Sequence, residues 1–138
     1  MSRHTCISAL LLAASVAMSA TGCTSAPVAP GSISFRTITD GASFAMAPGE
    51  TVTLSDRSTL RYVSVESDSR CPPHVQCIHA GNAVVGFESR PAAGTTQSFE
   101  LNSPDQPQSR DLGSLHVMLQ SLAFGAAPQA QLKVERDP

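Results

Sequence analysis

The sequence has no tryptophan, a single tyrosine and an aromatic content of only 4%. That scarcity argues against the stacked-base platforms of single-strand nucleic-acid binders. Lysine occurs once, at Lys133, and the formal net charge is only −2. The chain therefore has no basic footprint for nucleic acid and no polybasic stripe for anionic head groups. No phosphate-cradling glycine loop or dinucleotide fingerprint is present, and there is no G-x-S-x-G nucleophile elbow. Beyond His4, only His74, His79 and His116 could act as an imidazole base. Serine and aspartate are so abundant that spacing singles out no Ser-His-Asp triad. No cofactor and no catalytic residue is expected, and the chain reads as a non-enzyme.

What is present begins at the N-terminus. Arg3 and His4 make a short basic start, and Ile7 to Met18 is an apolar run of small residues. A membrane-spanning helix needs about 20 such residues. A basic start, a short apolar centre and small residues after it read as an export signal. Ala20-Thr21-Gly22-Cys23 resembles the bacterial lipobox, except that Ala20 stands where leucine is usual. The resemblance implies that residues 1–22 are a lipoprotein signal peptide and that Cys23 is acylated. A single fatty chain holds a protein to a bilayer only marginally, and several chains on Cys23 imply a lasting anchor. Thr24, rather than aspartate, in the following position implies outer-membrane sorting in a Gram-negative envelope. The competing reading is ordinary cleavage after Thr24-Ser25-Ala26, where Pro27 is unfavourable.

This assignment sorts the four cysteines. Cys6 leaves with the signal, Cys23 carries lipid, and Cys71 and Cys77 remain. In an exported protein such a pair is expected to form a disulfide. Residues 23–34 contain Pro27, Pro30 and Gly31 among Ser and Ala, and read as a flexible tether. Residues 35–138 are enough for one domain.

Within that domain, short alternating runs are separated by turn signals. The expected strands are Thr51 to Leu54, Thr59 to Glu66, Ala83 to Ser89, Gln97 to Leu101, Leu115 to Gln120 and Gln131 to Glu135. Pro48-Gly49, residues 55–58, residues 90–94 and Ala126 to Pro128 are turns. Asn102 to Ser109 reads as a loop holding Pro104 and Pro107. In Thr59 to Glu66 the alternation slips, with Leu60 and Tyr62 on one face and Val63 and Val65 on the other. That slip implies a bulge near Tyr62-Val63. Residues 112–124 carry a rival helical pattern in Leu112, Leu115, Leu119 and Leu122; the alternating strand reading is preferred. The fold expected is all-β: a small antiparallel β-sandwich, immunoglobulin-like or related, of about seven strands.

The densest chemistry lies in residues 68–82, DSRCPPHVQCIHAGN. Asp68, Ser69, Arg70, Cys71 and Pro72, then Cys77, then Ala80 and Gly81, resemble a motif of uncharacterised small bacterial exported proteins and lipoproteins. His79 departs from it, standing where tryptophan is usual. The resemblance implies a compartment and a fold but carries no activity.

Three readings of the loop compete. In the preferred one it is structural. The disulfide staples it, Pro72 and Pro73 stiffen it, and Arg70 and Asp68 satisfy each other or backbone groups. Gly81 permits a tight re-entry, and His79 packs where a ring would. In the second, Cys71, His74, Cys77 and His79 bind zinc or copper, although the spacing lacks the paired grammar of zinc modules. In the third, the cysteines are redox-active, without the C-x-x-C spacing that lowers a thiol pKa. His116 is expected to face solvent, and Glu66 and Asp68 are a weak paired-carboxylate signal. The expected role is a cell-envelope lipoprotein acting as a structural or binding module, held to the membrane by its lipid, with an envelope protein as its expected partner. The alternative is an exported zinc- or copper-binding protein.

Overall fold

Alternation of apolar and polar residues every second position builds the whole domain. The computed structural model describes residues 36–137. The expected signal segment, Cys23 and the 23–34 tether lie outside the described residues. The strands are β1 (Ser43–Met46), β2 (Thr51–Thr53), β3 (Thr59–Asp68), β4 (Ala83–Arg90), β5 (Gln97–Ser103), β6 (Ser109–Leu112), β7 (Leu115–Leu122) and β8 (Ala130–Arg136). No helix occurs among the described residues.

The strands form two four-stranded antiparallel sheets, ordered β1-β8-β7-β6 and β2-β3-β4-β5. The sandwich expected from the sequence is therefore present. Its connections are those of a meander: neighbours in space are neighbours in sequence, and the β1–β8 pair closes the circuit. This differs from the Greek key of immunoglobulin domains within the same architecture.

The inward positions of both sheets meet in one core. Met46, Leu115, Val117, Leu119, Leu132 and Val134 face Val52, Leu60, Tyr62, Val85, Phe87 and Leu101. Burying each of these side chains contributes about 1.5–3 kcal/mol. The aromatic residues stack along the second sheet, with Tyr62 and Phe87 ring centroids 5.4 Å apart and Phe87 and Phe99 5.7 Å apart. The Tyr62 hydroxyl donates to the Pro128 carbonyl at 3.0 Å, joining the sheets. Burial pushes the Tyr62 phenol above its ordinary pKa.

Four features correct the expected strand map; the first is that Ser43–Met46 is also a strand, pairing with β8 from Ser43↔Lys133 to Met46↔Ala130. Ser109–Leu112 is a strand, pairing with β7 from Ser109↔Met118 to Leu112↔Leu115, and the count is eight. Only Leu112 in it packs against the core, so polar Ser109-Arg110-Asp111 hid it. In β3 the expected bulge is present between Tyr62 and Ser64, and a second lies between Val65 and Ser67. The first returns Val65 to the inner face opposite Val85, packed on the core, so that Val63 alone breaks the inward set. In β7 a bulge between Leu119 and Ser121 turns Leu122 inward, three residues after Leu119. That spacing is what made the segment resemble a helix face.

Because successive strands run up and down, alternate connections gather at opposite poles. Residues 47–50, 69–82, 104–108 and 123–129 lie at one pole, and residues 54–58, 91–96 and 113–114 at the other.

Candidate functional site

The 69–82 connection is an ordered extension of the β3–β4 ladder. The Ser69 amide donates to the Asn82 carbonyl at 2.8 Å, and the Cys71 amide donates to the Ala80 carbonyl at 2.8 Å. The Ser69 hydroxyl also donates to the Asn82 carbonyl at 3.0 Å and accepts from the Asn82 amide at 3.1 Å. Opposite Arg70 sits Gly81, with φ +70°. A Cβ there would stand 1.8 Å from the Ser69 carbonyl oxygen. Only glycine lets the two backbones approach this closely.

Beyond the ladder, Cys71 and Cys77 are joined by a disulfide with Cα atoms 5.9 Å apart, within the range for an unstrained bridge. The Val75 amide donates to the Pro72 carbonyl at 3.3 Å, closing a turn through Pro73 and His74. His74 has φ +68°. A trans-type turn with proline second and a left-handed third residue is type II, a position that usually takes glycine or asparagine.

Arg70 fastens this loop to the opposite sheet. Its Nε and Nη2 donate to the two Asp68 carboxylate oxygens at 2.9 and 2.6 Å. Nη1 donates to the Leu122 carbonyl at 2.5 Å and Nη2 to the Ala123 carbonyl at 3.0 Å. The guanidinium carbon lies 4.1 Å from the centroid of the Phe124 ring, a cation–π distance. The Arg70 side chain is only 9% exposed. Its hydrogen bonds hold the Asp68 carboxyl below its ordinary pKa, more than offsetting burial, which acts the other way. The planar fork makes these contacts in a way lysine cannot match. On the loop's other flank, the Asn82 side-chain amide donates to Asn102 Oδ1 at 3.1 Å.

What this scaffold presents is apolar. Residues 72–80 are all exposed; Ile78 is 95% exposed and Val75 57%. Phe124, stacked on Arg70, is 48% exposed. No Asp, Glu, Lys or Arg occurs from Cys71 to Phe87, nor from Leu112 to Leu132. Glu50 and the exposed Asp105 carry charge in this pole's 47–50 and 104–108 connections, and the opposite pole carries Asp56, Arg57 and Arg90 in or beside its turns, with Asp40 and Arg136 paired nearby at 2.8 Å.

The sequence-expected residues separate clearly. Asp68, Ser69, Arg70, Cys71, Cys77, Ala80 and Gly81 converge in one device, and Arg70 satisfies both a carboxylate and backbone groups. His79 is a correction: its side chain is exposed and does not pack where a ring would. His74 and His79 are both exposed, and the two sulfurs are bonded to each other rather than present as thiolates. No group of three or more His, Cys, Asp and Glu that could hold a metal ion occurs among the described residues. Glu66 and Asp68 take separate partners, the Ser64 hydroxyl and Arg70. His116 is half-buried, with Nδ1 2.5 Å from Asp111 across the β6–β7 pair. The exposed tip at Val75 and Ile78 and the Phe124 stack escaped the sequence reading. Their signal was the long stretch without charge.

An open groove of about 440 Å³ lies on the outer face of the second sheet, where Gly86 leaves room beside Glu66, Glu88 and Glu100. Arg61 offsets Glu88 at 3.4 Å. No family model, curated protein or solved structure matches this chain.

Proposed function

We propose that this chain is a lipid-anchored bacterial cell-envelope protein, held at the outer membrane through Cys23. Its folded domain is a non-enzymatic binding module whose contact element is the Cys71–Cys77 loop. Membership of the exported DSRCP-loop family belongs to the same proposal.

The observation that carries the binding role is Ile78, almost fully exposed at the tip of a loop that nothing leaves free to collapse. A disulfide, a buried arginine and an obligatory glycine all fix that loop. An exposed apolar side chain adds nothing to folding, because its area stays in water. Val75, on the same loop and 57% exposed, adds a second apolar side chain for a partner to cover.

The test has two parts. Cys23→Ser is expected to abolish acyl labelling and release the protein from the membrane fraction; unchanged labelling and fractionation would remove the anchor. A photo-crosslinking side chain at position 78 in intact cells is expected to give adducts that the same group at position 118, on the side of the sandwich, does not. Equal yields from both positions would remove the loop as contact element. Ellman titration and metal analysis of the purified protein are expected to find no free thiol at Cys71 and Cys77 and no bound metal. Free thiols with stoichiometric zinc or copper would instead favour the metal-binding alternative.

A further inference from the structure

We infer that the pole opposite the loop holds a binding site for a small primary ammonium ligand, in a pocket where the two sheets part. This site is independent of the anchor and of the Cys71–Cys77 loop.

The pocket arises from the way three inward patterns end. In β4 the inward set runs Ala83, Val85, Phe87 and then Ser89. In β3 the inward Leu60 and Tyr62 are preceded by Ser58, and in β5 the inward Phe99 and Leu101 are preceded by Gln97. Register sets Leu60, Ser89 and Gln97 in one row across the second sheet. The last layer of the core at this end is therefore polar. The β2–β3 turn adds Asp56, and the end of β6 adds Asp111 and Leu112 from the first sheet. Together they enclose about 250 Å³, just below the range of about 300–1,000 Å³ that suits drug-sized ligands.

Ser89 points to a ligand. It is only 5% exposed, and its hydroxyl has no hydrogen-bond partner among the described residues. Among those residues, no fully buried side-chain nitrogen or oxygen lacks a partner, so this hydroxyl opens on the pocket it lines. Ser58 is equally buried but differs, since its hydroxyl and amide donate to Asp56 Oδ1 at 2.5 and 2.8 Å. Leaving a buried hydroxyl unpaired is costly, and an apolar residue at this inward position would avoid that cost.

The chemistry of the ligand follows from the lining. Asp56 Oδ1 is taken by Ser58, and Asp111 Oδ1 lies 2.5 Å from His116 Nδ1. The Oδ2 atom of each carboxylate is without a partner among the described residues. With the Ser89 hydroxyl and the Gln97 carboxamide, they make a set dominated by acceptors, two of them charged. No Lys or Arg lines the pocket; Arg57 and Arg90 stand exposed in adjoining turns. An ammonium brings three donors and a positive charge, which match that set. Leu112 and Pro91 offer an apolar wall to a short carbon chain. No aromatic ring lines the pocket, so it lacks the cage that quaternary ammonium groups require. No group of three or more His, Cys, Asp and Glu suited to a metal ion occurs among the described residues, which favours an organic cation.

Ethanolamine, a primary ammonium with one hydroxyl, is the probe. Titrated into the isotope-labelled full chain in detergent micelles, it is expected to give saturable amide shifts at Ser58, Ser89 and Gly113 and none at Ile78. Asp111→Asn is expected to weaken binding about tenfold and Ser89→Ala about fivefold. Glu100→Gln, which removes a carboxylate from the outer face of the second sheet, is expected to leave binding unchanged. The Asp111 side chain is 71% exposed, so its variant tests the site even if Ser89→Ala fails to fold.

Shifts that never saturate, or an equal loss in Glu100→Gln and Asp111→Asn, would reduce the effect to general charge attraction and overturn the inference. Ethylene glycol that saturates the same amides as tightly as ethanolamine would overturn the ammonium assignment. Calcium chloride that displaces ethanolamine from those amides would give the pocket to a metal ion and overturn it likewise.

Discussion

Gly81 shows how little freedom a single position in this loop has. Its left-handed φ alone strains any other residue, and a Cβ would overlap the Ser69 carbonyl outright. Gly81→Ala is expected to destabilise the protein by about 2–3 kcal/mol, read as a lower denaturant midpoint, or to unpair the 69–82 ladder, read as faster amide exchange there. Alanine at Gly49, where a Cβ would meet nothing, is expected to cost less. Asp68 ties the loop to acidity. Hydrogen bonds from Arg70 lower its pKa from 3.8. A carboxyl shifted downward on folding stabilises fully above its unfolded value of about 3.9, and that contribution is lost as pH falls through the lower folded value. Asp40 and Glu135 are lowered too, by Ser55 with Arg136 and by Lys133, but both are exposed and solvent-screened. Acid titration of stability is therefore expected to fall less steeply below about pH 4, the unfolded carboxyl value, in Asp68→Asn than in the parent. Identical slopes would show that the Arg70 pair contributes nothing.

Among the elements, the stapled loop and the sandwich have separate sources of stability. The disulfide closes a short ring, which on the chain-entropy model stabilises by roughly 2 kcal/mol, whereas the core is built from both sheets without it. Replacing Cys71 and Cys77 together with serine is expected to lower the unfolding free energy by about that amount while leaving the far-ultraviolet spectrum unchanged. Limited proteolysis should then cut within residues 72–80 before any strand is cleaved. Simultaneous loss of loop and sandwich would mean that the bridge supports the core. Element scale is also where sequence reading succeeded and failed for visible reasons. Strands β4, β5 and β8 were legible because Val85 and Phe87, Phe99 and Leu101, and Leu132 and Val134 alternate without interruption. Strand β6 was hidden by three polar residues, and β7 imitated a helix because its bulge puts Leu119 and Leu122 on one face. The loop's cysteines, arginine and glycine were legible as a group. Arg70's reach to Leu122 and Ala123 was not, since it depends on how two sheets meet rather than on local sequence.

At the scale of the molecule, the meander sets the asymmetry between the two poles. Because strands alternate direction around a closed circuit, the two long uncharged stretches surface at the same pole, although Ile78 and Phe124 are 46 positions apart in sequence, with β4, β5, β6 and β7 between them. Arg70 then binds one to the other through the Leu122 and Ala123 carbonyls and the Phe124 ring. Fold and exposed tip become separable in this arrangement: the core lies between the sheets, and Ile78 stands outside it, 95% exposed. Ile78→Asp is accordingly expected to shift unfolding free energy by less than about 0.5 kcal/mol yet to eliminate the position-specific contact of the pole. The readouts are a melting curve and the crosslinking yield from a probe at Val75. A stability loss as large as that of a core substitution, about 2–5 kcal/mol for a leucine truncated to alanine, would show that Ile78 is packed rather than presented. Unchanged stability with unchanged crosslinking would move the contact to another part of the pole, leaving Phe124 as the residue to replace next.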